Sequence, residues 1–314
     1  MHTTQHTPTR TVTRYSAASI RGLFWKWVGR IFESGAMFLV AVFILLPIVW
    51  LALTSLKPNE VAYTTDVFFQ PTLDNFRIIF SNSSIIVNEG TNLQRSVIGL
   101  DMWPSTLNSI IISSATVLIA IPLATMAAYA FSRYRFFGSR AFLVWILTTQ
   151  FLPAIIVAIP FFTLFRTIEV FGEPLLGSRL GLIIVNMAIV MPYSIWMIKG
   201  FIDALPVEVE EAGYVDGCND FQVLVYVAFP LIRPGIIVAS VFAFIMSWNE
   251  FLFAFILGRD TRTMQVALTT TSGVNGIMWE QMAAAGMVVM LPIILMTLTV
   301  RKNFVNGLTM GAVK

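Results

Sequence analysis

Residues 201–231 read FIDALPVEVEEAGYVDGCNDFQVLVYVAFPL and separate two long apolar runs. This stretch holds six acidic residues and no Lys or Arg. The runs on either side have the length and composition of segments that cross a lipid bilayer. We therefore predict that residues 201–233, called the acidic loop below, are the part of a membrane protein that meets water and a soluble partner.

Two short helices joined by a tight corner are predicted within the acidic loop. Pro206 suits a first helical turn because it has no N–H to leave unpaired there, and the glutamates that follow it favour the positive end of the helix. Gly217 can adopt the left-handed backbone that ends a helix. Asn219 or Asp220 can then cap a second helix over residues 221–228.

The first of these helices is predicted to be amphipathic. Apolar residues recur at helical spacing, which leaves one apolar face and one acidic face; they are Leu205, Val209, Ala212 and Val215. An exposed helix of this kind is suited to a groove on a partner, where charge sets orientation and apolar side chains set affinity. The alternative is an ordinary solvated loop between two membrane helices.

Three short motifs of the acidic loop occur in a fixed order. They are Glu211-Ala212-Gly213, Asp216-Gly217 and Val227-Ala228-Phe229-Pro230. In this order they resemble the EAA loop of ABC-importer permeases, with its pattern E-A-A, D-G and I-x-L-P. The chain departs from that pattern at three positions, where Gly213 replaces the second alanine, Cys218 a small residue and Phe229 a leucine.

The resemblance implies that the acidic loop docks onto a cytoplasmic ATPase and moves with it. The residues that it places at this contact are Glu210, Glu211, Ala212, Gly213, Asp216, Gly217, Phe221 and Pro230.

The composition of the chain excludes a soluble protein. Of its 314 residues, 57% are hydrophobic and 12% are charged, against about 25% charged residues in soluble domains. The single cysteine, Cys218, excludes a disulfide framework, and no basic cluster suited to nucleic acid is present. The chain is predicted to be a multi-pass membrane protein embedded in the lipid bilayer.

Six apolar runs are long enough to span the bilayer, which predicts an all-α membrane protein with six transmembrane helices. They are residues 34–56, 105–131, 141–165, 180–201, 235–257 and 283–300. Lys and Arg are concentrated on one side of these runs, so both termini and the acidic loop are predicted to be cytoplasmic. Proline interrupts five of the six runs, as is typical of helices that bend around a translocation path.

The predicted organisation has four parts. Residues 1–33 form a disordered tail and an interfacial helix over 22–33, and residues 34–104 form the first transmembrane helix with a long periplasmic loop. Residues 105–301 form a five-helix core that includes the acidic loop. Residues 302–314 form a cytoplasmic tail.

Polar residues within the spans are the candidates for a substrate path, because each is costly if it faces lipid. They are Gln150, Asn186, Tyr193, Trp196, Asn249 and Glu250. Hydrogen-bonding groups beside aromatic rings suit a sugar, whereas the alternative is hydrogen bonds that hold the helices together. Glu250 is the only ionisable residue of the fifth span, and it is also a candidate proton-coupling acid of a secondary transporter.

Three further segments extend the resemblance over about residues 34–314. They are residues 107–140, SWNEF at 247–251 and GLTMGAVK at 307–314. They are similar to the maltose-type permeases of carbohydrate ABC importers. This resemblance implies the type I importer fold, a second and different permease subunit, two ATP-binding subunits and an extracytoplasmic sugar-binding protein, in a bacterial or archaeal inner membrane.

No enzymatic chemistry is expected of this chain. It lacks a phosphate-binding Gly-Lys-Ser loop, and no set of Cys and His residues is spaced to hold a metal. The resemblance implies that the partner ATPase binds ATP and magnesium, while this chain carries no cofactor. An intramembrane enzyme, the remaining alternative, would require a catalytic pair inside the spans, and the sequence does not offer one.

Overall fold

The computed structural model describes residues 17–81, 84–89, 93–98, 101–170, 172–269, 272–273 and 276–310. The predicted N-terminal tail over residues 1–16 and residues 311–314 of the predicted C-terminal tail lie outside these described residues. The chain divides into two units, Met1–Ala52 and Leu53–Lys314, and the acidic loop belongs to the second.

Helices make up most of the described chain. In chain order the α-helices are α1 (Ala17–Ser55), α2 (Asp74–Phe80), α3 (Met102–Arg133), α4 (Ser139–Thr148), α5 (Ala154–Thr167), α6 (Arg179–Asp203), α7 (Val207–Val215), α8 (Asp220–Gln222), α9 (Phe229–Trp248), α10 (Leu252–Leu257), α11 (Met264–Thr269) and α12 (Trp279–Met310). Short 3₁₀ segments cover Asn59–Val61 and Thr149–Phe151, and a π-helix covers Val223–Ala228.

Three antiparallel hairpins interrupt the helices. They pair β1 (Ser84–Glu89) with β2 (Leu93–Ile98), β3 (Glu169–Val170) with β4 (Glu173–Pro174), and β5 (Ser272–Gly273) with β6 (Gly276–Ile277). All of them lie in loops between helices. The prediction of an all-α membrane protein is therefore confirmed.

Among the described residues, five helical segments are long and apolar enough to cross a membrane, and a sixth is added if a bent pair counts as one span. The five are Gly29–Ser55, Met102–Arg133, Arg179–Asp203, Asp220–Trp248 and Trp279–Val300. The bent pair joins Ser139–Phe151 to Ala154–Thr167.

The first helix differs from its prediction. The sequence predicted a separate interfacial helix over residues 22–33, but α1 runs without a break from Ala17 to Ser55. Residues 22–33 contain no proline and no turn sequence, so the helical hydrogen bonds continue through them. Pro47 also lies inside α1.

The third span is bent by 95° rather than continuous. The break lies at Leu152 and Pro153, where Leu152 has an extended backbone with φ −69° and ψ 129°. Proline disfavours the helical conformation of the residue before it and cannot donate a backbone hydrogen bond. The predicted helix over 141–165 is therefore two helices that meet at this bend.

The fifth span begins earlier and ends sooner than its prediction over 235–257. Asp220–Trp248 is one continuous helical run, in which the π-helix Val223–Ala228 connects α8 to α9. The second helix of the acidic loop is thus the beginning of this span instead of a separate element. Pro230 lies in the first turn of α9, where its missing N–H is tolerated.

The core of the second unit is formed where α3, α6 and α9 pack together. Small side chains such as Ala124, Ala128 and Ala239 are fully or almost fully buried in this contact, and small residues let membrane helices approach closely. At the far end of α9, the Trp248 indole N–H donates to the carbonyl of Val289 at 3.1 Å. This bond ties α9 to α12.

Candidate functional site

The first helix of the acidic loop ends in a Schellman motif. Gly217 has φ +89°, a left-handed conformation that side chains other than glycine rarely adopt. The Cys218 N–H donates to the carbonyl of Gly213 at 3.0 Å, and the Gly217 N–H donates to that of Tyr214 at 3.0 Å. These two bonds satisfy the last carbonyls of α7 and confirm the predicted corner at Gly217.

The next helical run begins with a capping box. The Gln222 N–H donates to Asn219 Oδ1 at 2.9 Å, and the Asn219 N–H donates to Gln222 Oε1 at 2.9 Å. Two backbone donors that a helix start leaves unpaired are satisfied in this way. Asn219, one of the two predicted caps, is therefore the residue that starts α8.

We expect Gly217→Ala to lower the stability of the purified chain by about 1 kcal/mol, because alanine is strained in the left-handed region. The control is Gly200→Ala in α6, where an added Cβ meets nothing within 4 Å. That change should raise stability by about 0.5–1 kcal/mol through helix propensity. Thermal unfolding of both variants tests the pair, and equal midpoints would contradict the role of the corner.

A buried ion pair fixes α7 to the end of α3. The Arg133 guanidinium donates to both carboxylate oxygens of Glu210, with Nε at 2.9 and 3.0 Å and Nη2 at 2.7 Å. Its Nη2 also donates to the carbonyls of Ile202 at 2.9 Å and Leu205 at 3.2 Å. The side chains of Arg133 and Glu210 are only 14% and 4% exposed.

The other Glu210 contact comes from Tyr129 of α3, whose hydroxyl donates to Oε2 at 3.0 Å. Glu210 therefore receives hydrogen bonds on both oxygens, which is the condition for a buried charge to be tolerated. We call Tyr129, Arg133 and Glu210 the clamp. It joins α7, the C-terminal end of α6 and α3 into one hydrogen-bonded unit.

Two exposed contacts strengthen this junction. Ser132 Oγ donates to Asp203 Oδ1 at 2.6 Å, and the Tyr134 hydroxyl donates to Asp220 Oδ2 at 2.6 Å. Donation to the Asp220 carboxylate raises the pKa of Tyr134 to about 12, because the bond favours the protonated phenol. The end of α3 thus contacts both helical runs of the acidic loop.

The surface that the acidic loop presents to solvent is apolar and acidic. Val215 is 87% exposed, Phe221 63% and Tyr226 71%, and Glu211 is exposed beside them. These apolar side chains are thus left uncovered by the rest of the described chain. The predicted apolar face is therefore partly turned outward, with Val209 and Val215 exposed.

The eight residues assigned to the coupling contact divide into two groups. Glu210 and Gly213 are buried inside the chain, and the six others are exposed; these are Glu211, Ala212, Asp216, Gly217, Phe221 and Pro230. A Cβ added at Gly213 would lie 3.1 Å from Val227 Cγ2 and 3.4 Å from Val223 Cγ2. Glycine at this position therefore lets α7 pack closely on the π-helix.

Sequence reasoning missed Arg133 and Tyr129. The sequence assigns Glu210 to the coupling contact only through the resemblance, and it gives neither Arg133 nor Tyr129 a role. The two residues of the ion pair are separated by 77 positions, so no local pattern connects them. The available signal was an arginine at the last turn of a span, where it can also bond helix-end carbonyls.

The six residues proposed for a substrate path differ in how far they are exposed to solvent. Asn186 is buried, and its Nδ2 donates within α6 to the carbonyl of Leu182 at 2.8 Å. Tyr193 and Trp196 on the same helix are 42% and 57% exposed. Gln150 is half-buried next to the bend of the third span, and Asn249 is exposed at the end of α9.

Glu250 has a different setting from the one predicted. It does not lie inside a helix, because α9 ends at Trp248 and α10 begins at Leu252. Its carboxylate accepts the N–H groups of Phe253 at 2.7 Å and Ala254 at 2.9 Å. This is a helix-start contact, so the side chain stabilises the break in the fifth span.

Among the residues that the structure describes, no three His, Cys, Asp or Glu side chains are grouped as a metal site would require. The residues that do converge make an anchored, solvent-facing helix corner on a bundle of membrane spans. A multi-pass membrane protein with an exposed helical loop anchored to its spans is the class that this arrangement defines.

Residues 120–309 match the family described as binding-protein-dependent transport system inner membrane component. Because this match covers more than half of the chain, the protein belongs to that family of ABC-importer permeases. Family membership also favours this class over the proton-coupled secondary transporter that was considered for Glu250.

Relatives and a solved structure agree with this assignment. The chain is 30% identical over 282 residues to the trehalose transport system permease protein SugB of Mycobacterium tuberculosis, covering 88% of this chain and 94% of that protein. It is 28% identical over 281 residues to the trehalose/maltose transport system permease protein MalG of Thermococcus litoralis, with coverage of 88% and 94%. A bacterial ABC transporter that imports alginate has the same fold, with a TM-score of 0.65, 22% identity and coverage of 93% and 99%.

Proposed function

We propose that this chain is the permease subunit of an ATP-driven importer for a sugar or sugar-like solute and that it is coupled to its ATPase through the acidic loop. The observation that carries the proposal is the clamp. It holds α7 to α3 through both oxygens of Glu210, while Val215 of the same helix is 87% exposed. One side of α7 is anchored in the bundle, and the other is free for a partner.

This arrangement supports a mechanism in which the acidic loop moves as a rigid body. Closure of the ATPase pulls α7, and the clamp transfers that displacement to α3 and to the end of α6. The second helical run of the loop continues into the membrane as Asp220–Trp248. A displacement at the loop therefore reaches three membrane spans, which are α3, α6 and Asp220–Trp248.

The partners in this proposal are a second permease subunit, two ATP-binding subunits and an extracytoplasmic solute-binding protein. The family description, which specifies binding-protein-dependent transport, supports the last of these. ATP and magnesium are bound, and ATP is hydrolysed, by the ATP-binding subunits. This chain contributes half of the translocation path and the coupling contact, with both termini and the acidic loop in the cytoplasm of a bacterium or archaeon.

The sugar substrate is supported by the two relatives that are named for trehalose and maltose transport. Tyr193 and Trp196 on α6 leave aromatic surface exposed. Aromatic side chains with a few polar groups are typical of small-molecule sites. The candidates for lining this chain's half of the translocation path remain these two residues together with Gln150, Asn186 and Asn249.

The proposed contact between the acidic loop and the ATP-binding subunit is tested by changing the charge of an exposed residue of the loop. We expect Val215→Glu or Glu211→Lys to reduce the amount of ATP-binding subunit that purifies with the chain by about tenfold, as loss of one central contact does in other interfaces. The second permease should still purify with both variants. Val67→Glu is the matched control, because Val67 is 53% exposed in the loop after α1 and should leave the ATPase bound.

Undiminished ATPase recovery with both variants would show that the acidic loop is only a connection between spans. A wild-type chain that purifies without any ATPase would contradict the importer itself.

A further inference from the structure

A cleft lies at the end of the bundle opposite the acidic loop. Its volume is about 550 Å³, and Phe251, Gln265, Leu268, Thr269 and Met282 line it. It is thus bordered by the break after α9, by α11 and by the beginning of α12. The 15 residues of α9 that follow the acidic loop, 234–248, separate the two by about 22 Å.

One polar side chain at this cleft lacks a partner. Gln265 Nε2 and Oε1 are both shielded from water, and neither has a hydrogen-bond partner within the described part of the chain. An amide left unpaired in a protein interior is unfavourable. Rotation of the side chain into the cleft would relieve this when a ligand with hydroxyl groups occupies it.

The other lining residues offer an aromatic platform and a second oxygen. Phe251 stacks on Phe255 with ring centroids 5.4 Å apart and planes inclined by 24°, and Phe251 is 38% exposed. Thr269 Oγ1 donates to the carbonyl of Val266 at 2.7 Å, so its lone pairs are available to accept. A flat apolar surface beside amide and hydroxyl groups suits a pyranose ring.

The cleft also indicates the charge of its ligand. None of the five lining residues is ionisable. The nearest acid in sequence, Glu250, has its carboxylate bonded to the backbone of α10. None of these described lining residues offers a cation to a carboxylated or phosphorylated sugar, and burying an unpaired charge is costly.

We propose that this cleft is a subsite of the present chain for one neutral sugar unit, with Gln265 as its hydrogen-bonding residue and Phe251 as its stacking residue. The inference rests on the proposed function as a sugar permease, and it assigns to this subunit a direct contact with the transported solute. The volume lies within the range of ordinary small-molecule sites.

The test uses the complete importer in liposomes, with its second permease, ATP-binding subunits and binding protein. Trehalose, maltose and diacetylchitobiose serve as neutral probes, and glycerol 3-phosphate and an oligoglucuronate as anionic ones. We expect a neutral sugar to be taken up. In Gln265→Leu and Phe251→Ala, the amount of this sugar imported per ATP hydrolysed should fall about fivefold to tenfold, the factor that one neutral contact supplies.

Two readouts separate a subsite from a structural role. The thermal midpoint of Gln265→Leu should be no lower than that of the wild type, because leucine removes an unpaired amide. Gln70→Leu, the same change at an exposed position outside the cleft, should leave the ratio of sugar to ATP unchanged.

The subsite is overturned if this ratio is unchanged in both variants, or if Gln265→Leu releases the second permease, which would make the cleft a subunit contact. Import of anionic solutes alone, or of no neutral sugar, by a complex that hydrolyses ATP would also overturn it. Each of these results leaves the permease assignment intact. A wild-type chain that purifies without an ATPase would instead contradict the proposed function.

Discussion

Replacing Arg133 with methionine is expected to uncouple the importer and to destabilise it by about 3–5 kcal/mol. That range is the usual cost of removing one partner of a buried ion pair, because the remaining charge is left without compensation. The side chain of Glu210 is only 4% exposed. Without Arg133, the carboxylate would keep only its hydrogen bond from the Tyr129 hydroxyl. The thermal midpoint should fall, and ATP hydrolysis should continue with little sugar imported.

The neighbouring arginine provides a matched control. Arg135 is exposed, so Arg135→Met should change neither the thermal midpoint nor the amount of sugar imported per ATP. The double variant Arg133→Met with Glu210→Met should recover much of the stability, since replacing both partners of a buried pair by apolar side chains is often neutral. If Arg133→Met and Arg135→Met behave alike, the clamp has no role in coupling.

Replacing Gly235 with alanine is expected to destabilise the bundle by about 1–3 kcal/mol, the usual cost of overpacking a tight contact. A Cβ at this position would overlap the ring of Phe201, which lies where α6 crosses α9. The overlap involves ring atoms close to the Phe201 backbone, so a small side-chain movement cannot relieve it. Thermal unfolding of the purified chain measures the effect.

A second variant, Phe201→Ala, tests whether overlap with the Phe201 ring causes the loss of stability in Gly235→Ala. Combined with Gly235→Ala it should restore part of the lost stability, because the new methyl group then occupies space that the ring leaves. Gly200→Ala, in which the added Cβ meets nothing within 4 Å, is the control for the change in helix propensity. No rescue by Phe201→Ala would contradict the close contact between α6 and α9.

Local features of the site were accessible from the sequence, and long-range ones were not. The corner at Gly217 and the cap at Asn219 follow from residue chemistry over a few positions, and the structure has both. The clamp depends on the packing of α3 against α6, which brings Arg133 to Glu210 across 77 positions. The position of a charged residue at a helix end does not predict which residue forms an ion pair with it.

The prolines within the spans also show what the sequence cannot predict about the fold. Hydropathy predicted each spanning region, but Pro122 and Pro192 lie inside continuous helices, whereas Pro153 lies at a 95° bend. In a bundle, neighbouring groups can satisfy the carbonyl that proline frees. Whether a proline bends its helix therefore depends on the groups that surround it. The sequence around Pro153 alone does not predict the bend.

Glu250 illustrates the same point for the site. An acid within an apolar run predicts a functional residue, yet the helix breaks at this position and the carboxylate binds the first N–H groups of α10. The prediction assumed a continuous helix over 235–257. Because α9 ends at Trp248, the side chain meets backbone donors that a continuous helix would not offer.

The most direct measurement of coupling is a photocrosslink from the acidic loop. A benzophenone amino acid at Val215, which is 87% exposed, should form an adduct with the ATP-binding subunit in native membranes. The same amino acid at Val67 should form none with that subunit. An ATPase adduct from position 215 alone is the result that this account predicts, and its absence from position 215 in an assembled, active importer would contradict it.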